Sequence, residues 1–358
     1  MYAASSAAAA STTSAYKATE KHWRRRSESE VLADADLLDV RALRADQQEL
    51  VREIGTWTAP DGRQRSVFAF DAMGSAHEGF FVIPDAIDAA TQLEIAHACL
   101  TEYIEAPHVT NMHLQGQQVQ GLWRKARHEH PDDPARAPAL SKLHWGAAGY
   151  HYDWTARKYH AGNFSRVPPR LEELGATCAT ACGQTLRAEA VIVNFYKKSS
   201  TMGGHQDDVE YTMDHPVVSL SLGSRCVFLK GARTKDQTPL AVLLRSGDIA
   251  ILSGASRLSF HGVAKILPSP FEIDDAALAA LVQRAASERA DAAVEDWAEE
   301  LKAVAAYLGA HRVNINIRQV YSDQSEATAN PNQSGREPED APGTHDAVAH
   351  KRQKTAAN

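Results

Sequence analysis

The chain has few cysteines. It carries four in 358 residues: Cys99, Cys178, Cys182 and Cys226. They are too few and too scattered for a disulfide-stapled fold, and a reducing compartment fits that usage. Cys178 and Cys182 fall four apart on a predicted helix, where small apolar side chains pack inward, so core packing is expected of them rather than metal binding. Apolar runs are short as well. None approaches the roughly 20 residues that a membrane-spanning helix needs, so no membrane partner is expected. The N-terminal stretch lacks the apolar centre of a secretory leader. Positive charge is not in excess, because 38 Lys and Arg face 45 Asp and Glu for a net charge of -7. A protein that coats nucleic acid by bulk charge is thereby excluded. There is no internal repeat, and a monomer is expected.

The charge is uneven, however. Between Pro107 and Arg170 there are nine Lys/Arg, four Asp/Glu and seven His. A basic groove is therefore compatible with the net charge. The first 30 residues are rich in Ala and Ser and then basic, with Lys17, Lys21, Arg24, Arg25 and Arg26. Such acid-poor composition suits an organelle transit peptide or a disordered tail, and the tail is the plainer expectation. Residues 1–60 are expected to be mostly disordered. Residues 322–358, polar and rich in Pro, Gly and Asn, are expected to be disordered too. They end in Lys351-Arg352-Gln353-Lys354, a weak nuclear address. A nuclear or cytoplasmic location is expected, with a mitochondrion or other organelle as the alternative.

Residues 61–321 read as one domain. Gly79 to Pro84 is a short strand, and a helix follows from about Asp88 to Tyr103 with Leu93, Ala96, Leu100 and Ile104 at helical spacing. A second helix fits Pro169 to Cys182. Strands are predicted over Ala188–Tyr196, Val217–Leu222, Cys226–Leu229, Leu240–Leu244, Ile249–Leu252 and Arg312–Tyr321. Residues 272–310 interrupt the series with an Ala-rich amphipathic helical insert. Many short strands at this spacing predict an α+β fold built on a double-stranded β-helix, or jelly roll, with flanking helices.

The chemistry is carried by His205-Gln206-Asp207, by Phe260-His261-Gly262 and by Arg312-Val313-Asn314-Ile315-Asn316-Ile317-Arg318. Residues i and i+2 of a strand point the same way, so His205 and Asp207 can reach one ion. With His261 they make a 2-His-1-carboxylate facial triad, which holds Fe(II) and leaves one face open for cosubstrate and oxygen. The last segment alternates strictly. Arg312, Asn314, Asn316 and Arg318 share one face, and Val313, Ile315 and Ile317 share the other. Buried unpaired arginines are expensive, so an anion is expected beside them, and a dicarboxylate cosubstrate supplies one.

With Asn194-Phe195-Tyr196 ahead of His205, the set resembles the motifs of the AlkB family of Fe(II)/2-oxoglutarate-dependent dioxygenases: Asn-x-Tyr, His-x-Asp, a distal His and Arg-x-Asn-x-x-x-Arg. It is most similar to the subgroup of the first eukaryotic AlkB homologue. Further stretches that carry the likeness are Gly149–Trp154, Arg187–Ala190 and Glu295–Trp297, so it runs from about Gly79 to Tyr321. The resemblance implies His205, Asp207 and His261 as iron ligands. It implies Arg312 on the far carboxylate of 2-oxoglutarate, and Arg318 near the keto-acid end with Asn194, Tyr196 and Asn314. Molecular oxygen is the third participant. The implied reaction hydroxylates an N-methyl carbon, and the hemiaminal then loses formaldehyde with no protein acid or base.

On the substrate side, a base inside a duplex must be flipped or already unpaired. Trp145, Tyr150 and Tyr152 are candidate stacking faces. Trp123, Arg124, Lys125 and Arg127 are candidate phosphate and base contacts on a loop. The resemblance implies N6-methyladenine in DNA or N1-methyladenosine in tRNA as substrate. Two features depart from the family pattern. Val209 replaces an acid that repair-type members carry two residues after the ligating Asp, while Glu210 would point away if the chain stayed extended. Asn316 stands where Thr is usual. Two other readings of the chain are a protein-directed dioxygenase and a nucleic-acid-binding module with an inactive metal site.

Overall fold

The computed structural model describes residues 13–322, except 118–119, 154–155 and 289–293. Among these, the strands in chain order are β1 (Leu37–Leu38), β2 (Arg52–Thr58), β3 (Gln64–Ala69), β4 (Phe80–Ile83), β5 (Val109–Thr110), β6 (Trp145–Asp153), β7 (Lys158–Ser165), β8 (Ala190–Tyr196), β9 (Met202–His205), β10 (Val217–Gly223), β11 (Arg225–Lys230), β12 (Leu240–Leu244), β13 (Ile249–Leu252), β14 (His261–Leu267) and β15 (Arg312–Arg318). The helices are α1 (Ala15–Arg25), α2 (Glu28–Leu32), α3 (Ala45–Gln48), α4 (Ala89–Thr101), α5 (Leu122–Glu129), α6 (Pro169–Ala181), α7 (Asp275–Glu288) and α8 (Val294–Ala310).

The strands form two sheets. The smaller runs β1-β12-β11-β14-β9. The larger runs β2-β3-β4-β13-β10-β15-β8-β6-β5, with β7 paired to β6. Phe80, Tyr196, Phe228, Val242, Leu252 and Val263 pack between them. Helices α4, α6, α7 and α8 cover the outer face of the larger sheet, where Leu93, Leu171, Leu281 and Val304 meet Val313, Ile315 and Ile317. This is the expected jelly roll with flanking helices. Local chemistry accounts for its parts. Asp88 caps α4 by accepting from the Thr91 amide at 2.7 Å. Between β12 and β13 the chain reverses at Gly247, whose φ of 84° suits a residue without Cβ. The predicted insert forms α7 and α8, with Trp297, Leu301, Val304 and Leu308 buried. All four cysteines are free and buried, as expected.

Two expectations are corrected. The first concerns residues 1–60, read as a mostly disordered tail. From residue 13 the chain is folded onto the barrel. Tyr16, Glu20 and Trp23, spaced i, i+4 and i+7, are the buried residues of α1. Tyr16 and Trp23 share a core with Val227, Leu229 and Ala264 on the outer face of the smaller sheet. Arg41 donates to Asp248 at 2.5 Å, and Arg245 pairs with Asp39. The hairpin β2–β3 extends the larger sheet. The apolar anchors of this segment, among them Tyr16, Trp23, Val31, Leu38 and Val40, are interspersed with charges, and their partners lie roughly 200 residues further along the chain, on β11, β12 and β14. The C-terminal tail from 323, with its basic cluster, lies outside the described residues, as do residues 1–12.

The second correction concerns residues 122–129, read as a loop. They are helix α5, which buries Leu122, Trp123 and Ala126. The i, i+1, i+4 spacing of those three gives the segment an apolar face, and the core on the helix side receives it.

Candidate metal and cosubstrate site

Strand β9 ends at His205, and β14 begins at His261. The two residues are directly paired across the ladder. Direct antiparallel partners share a face, so both imidazoles project into the barrel mouth. Asp207 follows just beyond the end of β9. One ligand atom from each of His205, Asp207 and His261 lies within 4.8 Å of the others. His205 Nε2 is 3.8 Å from Asp207 Oδ1, and His261 Nε2 is 3.6 Å from Asp207 Oδ2. Each Nδ1 faces a carbonyl two residues back: Gly203 at 3.1 Å for His205, and Ser259 at 3.0 Å for His261. A carbonyl accepts, so each Nδ1 carries the proton and each Nε2 presents a lone pair inward. Metal-ligating histidines are commonly oriented in this way.

The electrostatics favour cation binding. Burial by itself raises the Asp207 carboxyl, but Arg318, His261 and His205 outweigh it and hold the group far below the usual carboxylate range. Burial, then the neighbouring His205 ring, pushes His261 down to about 4. An ionised carboxylate and a neutral imidazole are the states in which these groups bind a divalent ion. Two nitrogens and one carboxylate fit a ferrous ion that keeps open positions.

The cosubstrate side is set by register. Across β8, β15 and β10 the paired positions are Tyr196–Arg312–Gly223, Asn194–Asn314–Ser221 and Ile192–Asn316–Ser219. Trp145 of β6 is opposite Asn194. Arg312, Asn314, Tyr196, Asn194 and Trp145 therefore share the inner face of the larger sheet, as the alternation predicts. Arg312 is 2% exposed, and its Nε and Nη1 have no hydrogen-bond partner. A desolvated guanidinium with free N–H groups calls for an anion, and a carboxylate fits that fork. These residues fit 2-oxoglutarate.

The remaining predicted residues separate into two groups. Asn314 donates to the Leu220 carbonyl at 3.1 Å and so is partly committed to the fold. Arg318 donates to Asp207 Oδ1 at 2.9 Å and to Glu210 Oε1 at 3.0 Å, which leaves Nε as its unpartnered nitrogen. Tyr150 packs against Phe164 and Tyr321, and Tyr152 against Tyr159, on the β6–β7 hairpin. Trp123 and Arg127 are elsewhere. Trp123 belongs to the core on the helix side of the larger sheet, behind Arg312 rather than in front of it. Its indole donates to Glu300 at 2.6 Å, and Arg127 pairs with the same carboxylate. Arg124 and Lys125 are exposed on that helix layer. A cavity of about 460 Å³ bounded by His97, Trp123, Arg124 and Glu300 also lies on this side. The Trp123–Arg127 segment is thus a packed helix and does not join the metal site.

Glu210 is a further correction. The chain does not stay extended after His205, so Glu210 turns inward and is fully buried, while Val209 packs with Tyr150 and Tyr321. Its partners are Arg318, Arg257 and Tyr159. Sequence reasoning missed Arg257 and Tyr159. A single charged residue four places before His261, in an otherwise uncharged stretch from Ile249 to Phe260, was the available signal. Behind the metal ligands, the ring of Tyr16 occupies the space beside Gly204.

Comparison with known proteins matches residues 79–318 to the 2OG-Fe(II) oxygenase superfamily. The chain is 35% identical over 256 residues to the human protein "Nucleic acid dioxygenase ALKBH1", covering 68% of this chain and 64% of that one. It is 30% identical over 274 residues to "DNA N(6)-methyladenine demethylase ALKBH1A" of Arabidopsis thaliana, covering 68% and 75%. A shorter match, 37% over 133 residues, is to "tRNA demethylase abh1" of Schizosaccharomyces pombe, covering 36% and 43%. The chain thus spans somewhat less than two thirds of the length of its human relative. With the triad converging at one end of the barrel and Arg312 on its inner wall, the chain belongs to the 2OG-Fe(II) oxygenase superfamily and, within it, to the AlkB family.

Proposed function

We propose that the chain is an Fe(II)- and 2-oxoglutarate-dependent demethylase of nucleobases. The observation that carries this reading is the pairing of a three-ligand cluster with an orphaned guanidinium, Arg312, inside one barrel. His205, Asp207 and His261 hold the ion. Arg312 binds the far carboxylate of the cosubstrate through a bidentate fork. Asn194, Tyr196 and Asn314 line the wall between them, and the free Nε of Arg318 is available to the keto-acid end. When bound, the ion and the keto acid supply the oxidation of an N-methyl C–H bond by oxygen. The protein contributes binding, orientation and a buried guanidinium at Arg312, and no side chain needs to act as base.

Support for a nucleic-acid substrate comes from the relatives, whose names give nucleic acid, DNA and tRNA as targets. N6-methyladenine in DNA and N1-methyladenosine in tRNA are the proposed substrates. Trp145 on the inner face and the Tyr150 and Tyr152 rings on the β6–β7 hairpin are the proposed stacking surface. The buried Glu210 is saturated by its own partners and is not free to read a base. All three ligands come from one chain, which suits a monomer, acting wherever its nucleic acid lies, in nucleus, cytoplasm or an organelle. The test is mass spectrometry of products from a panel of methylated DNA and RNA oligonucleotides incubated with ferrous ion and 2-oxoglutarate. Net loss of one CH2 per methyl group, with matching formaldehyde and succinate, is expected. Succinate without any demethylated oligonucleotide would move the substrate to another class.

A further inference from the structure

We propose that Glu210 is a positioning residue for Asp207, acting through the two buried arginines Arg318 and Arg257. The inference rests on the reading of His205, Asp207 and His261 as the metal site. Glu210 lies three residues past Asp207, where the turn after β9 brings it back to the ligand's side. Its side chain is fully buried. Oε1 accepts from Arg318 Nη1 at 3.0 Å and from the Tyr159 hydroxyl at 3.4 Å. Oε2 accepts from Arg257 Nη2 at 2.9 Å. Each arginine then reaches Asp207 by a different route. Arg318 Nη2 donates to the carboxylate Oδ1 at 2.9 Å, and Arg257 Nη1 donates to the Asp207 main-chain carbonyl at 2.5 Å. Arg257 Nε is anchored on the His215 carbonyl at 3.0 Å.

The order of charges explains the role. Carboxylate and guanidinium alternate from Asp207 to Arg318 to Glu210 to Arg257, so each buried charge has an opposite neighbour. Arg318 alone on Asp207 would compete with a metal ion for that carboxylate. Glu210 shares the guanidinium, which leaves more of the Asp207 charge for the ion. It also fixes the Arg318 fork, so that Oδ1 is engaged and Oδ2 stays turned toward His261. Asp207 is thereby held both at its side chain and at its backbone.

The test is cobalt(II) titration of the metal-free full-length protein, following affinity and the visible d–d absorption, with Tm measured in parallel. Loss of an outer partner of a ligand commonly lowers metal affinity about 10–100-fold. Glu210→Gln is expected to fall in that range with an altered d–d spectrum. Should Glu210→Gln not fold, the charge-balanced double variant Glu210→Gln/Arg257→Met leaves Arg318 paired with Asp207 and is expected to show the same weakening. Unchanged cobalt affinity and spectrum in whichever variant folds, beside a changed Tm, would reduce Glu210 to a structural role and overturn the proposal. Asp207→Ala is the reference. If it kept native cobalt affinity, the metal-site reading itself would fall, and the proposal with it.

Discussion

The ring of Tyr16 stands where a side chain on Gly204 would have to go: a Cβ there would lie 2.3 Å from Cε1 of the ring. Gly204 immediately precedes the ligand His205. Helix α1 is therefore wedged against the strand that presents the metal site, with the Tyr16 hydroxyl donating to the Leu229 carbonyl at 3.3 Å.

Gly204→Ala should accordingly push either α1 or the His205 strand out of place. Overpacking of this kind costs about 1–3 kcal/mol. A lower Tm and weaker cobalt binding are expected together. Pairing the change with Tyr16→Ala should restore part of the metal affinity by vacating the space. A Gly204→Ala protein with native Tm and native affinity would show that the contact is slack.

Arg312→Ala should raise the KM for 2-oxoglutarate sharply while cobalt affinity stays close to native. Breaking a desolvated ion pair costs about 3–5 kcal/mol, equivalent to several hundred-fold or more in affinity. Arg312→Lys should rescue little, because a point charge cannot reproduce the planar fork. Uncoupled succinate formation across a range of 2-oxoglutarate concentrations measures both. An unchanged KM in Arg312→Ala would remove the residue from the cosubstrate site.

Lys230, fully buried on β11, should make stability depend on alkaline pH. Its Nζ donates to the Ala76 carbonyl at 2.5 Å and sits 5.9 Å from the Phe80 ring centre. Burial pushes its amine down to about 7, from an ordinary 10.5. Below pH 7 the lysine is charged in both folded and unfolded chains, so the full burial penalty applies. Between pH 7 and 10.5 the unfolded chain binds more protons, so stability rises with pH. Lys230→Met should raise Tm at pH 7, by an amount on the order of a few kcal/mol of stability, and flatten the rise at higher pH. Thermal melts from pH 6.5 to 10 read this directly. A Met variant less stable than the native protein at pH 7 would mean that the Ala76 contact outweighs the desolvation.

Trp145→Ala and Tyr150→Ala should reduce demethylation of oligonucleotides more than uncoupled 2-oxoglutarate turnover, since neither residue is a ligand. Unpaired or bulged substrates should react much faster than fully paired ones, because extraction from a duplex costs a few kcal/mol. Side-by-side rates on a bulged and a perfect duplex carrying the same methylated base provide the measurement. Equal rates would point to a device that opens the duplex.

The sequence by itself determined the features that depend on neighbours in the chain. The alternation of Arg312 to Arg318 became a strand with Val313, Ile315 and Ile317 outward and the polar residues inward. Asp88 and the apolar spacing behind it marked α4, and the Ser246-Gly247 turn separated β12 from β13. His205, Asp207 and His261 were legible from the His-x-Asp spacing and the distal His, while the ladder pairing of His205 with His261 and the turn after β9 bring the three together. Tertiary structure alone decided the rest. Trp123 and Arg127 look like a nucleic-acid patch until Glu300 of α8 claims both. Residues 13–60 look like a tail until β11, β12 and β14 offer Tyr16 and Trp23 a surface. Glu210 seems to point away from Asp207 until the turn after β9 and the arginines from β15 and from the loop before β14 draw it in. In each case a charged or aromatic side chain was committed by a partner distant in sequence, and periodicity along the chain carries no record of such partners.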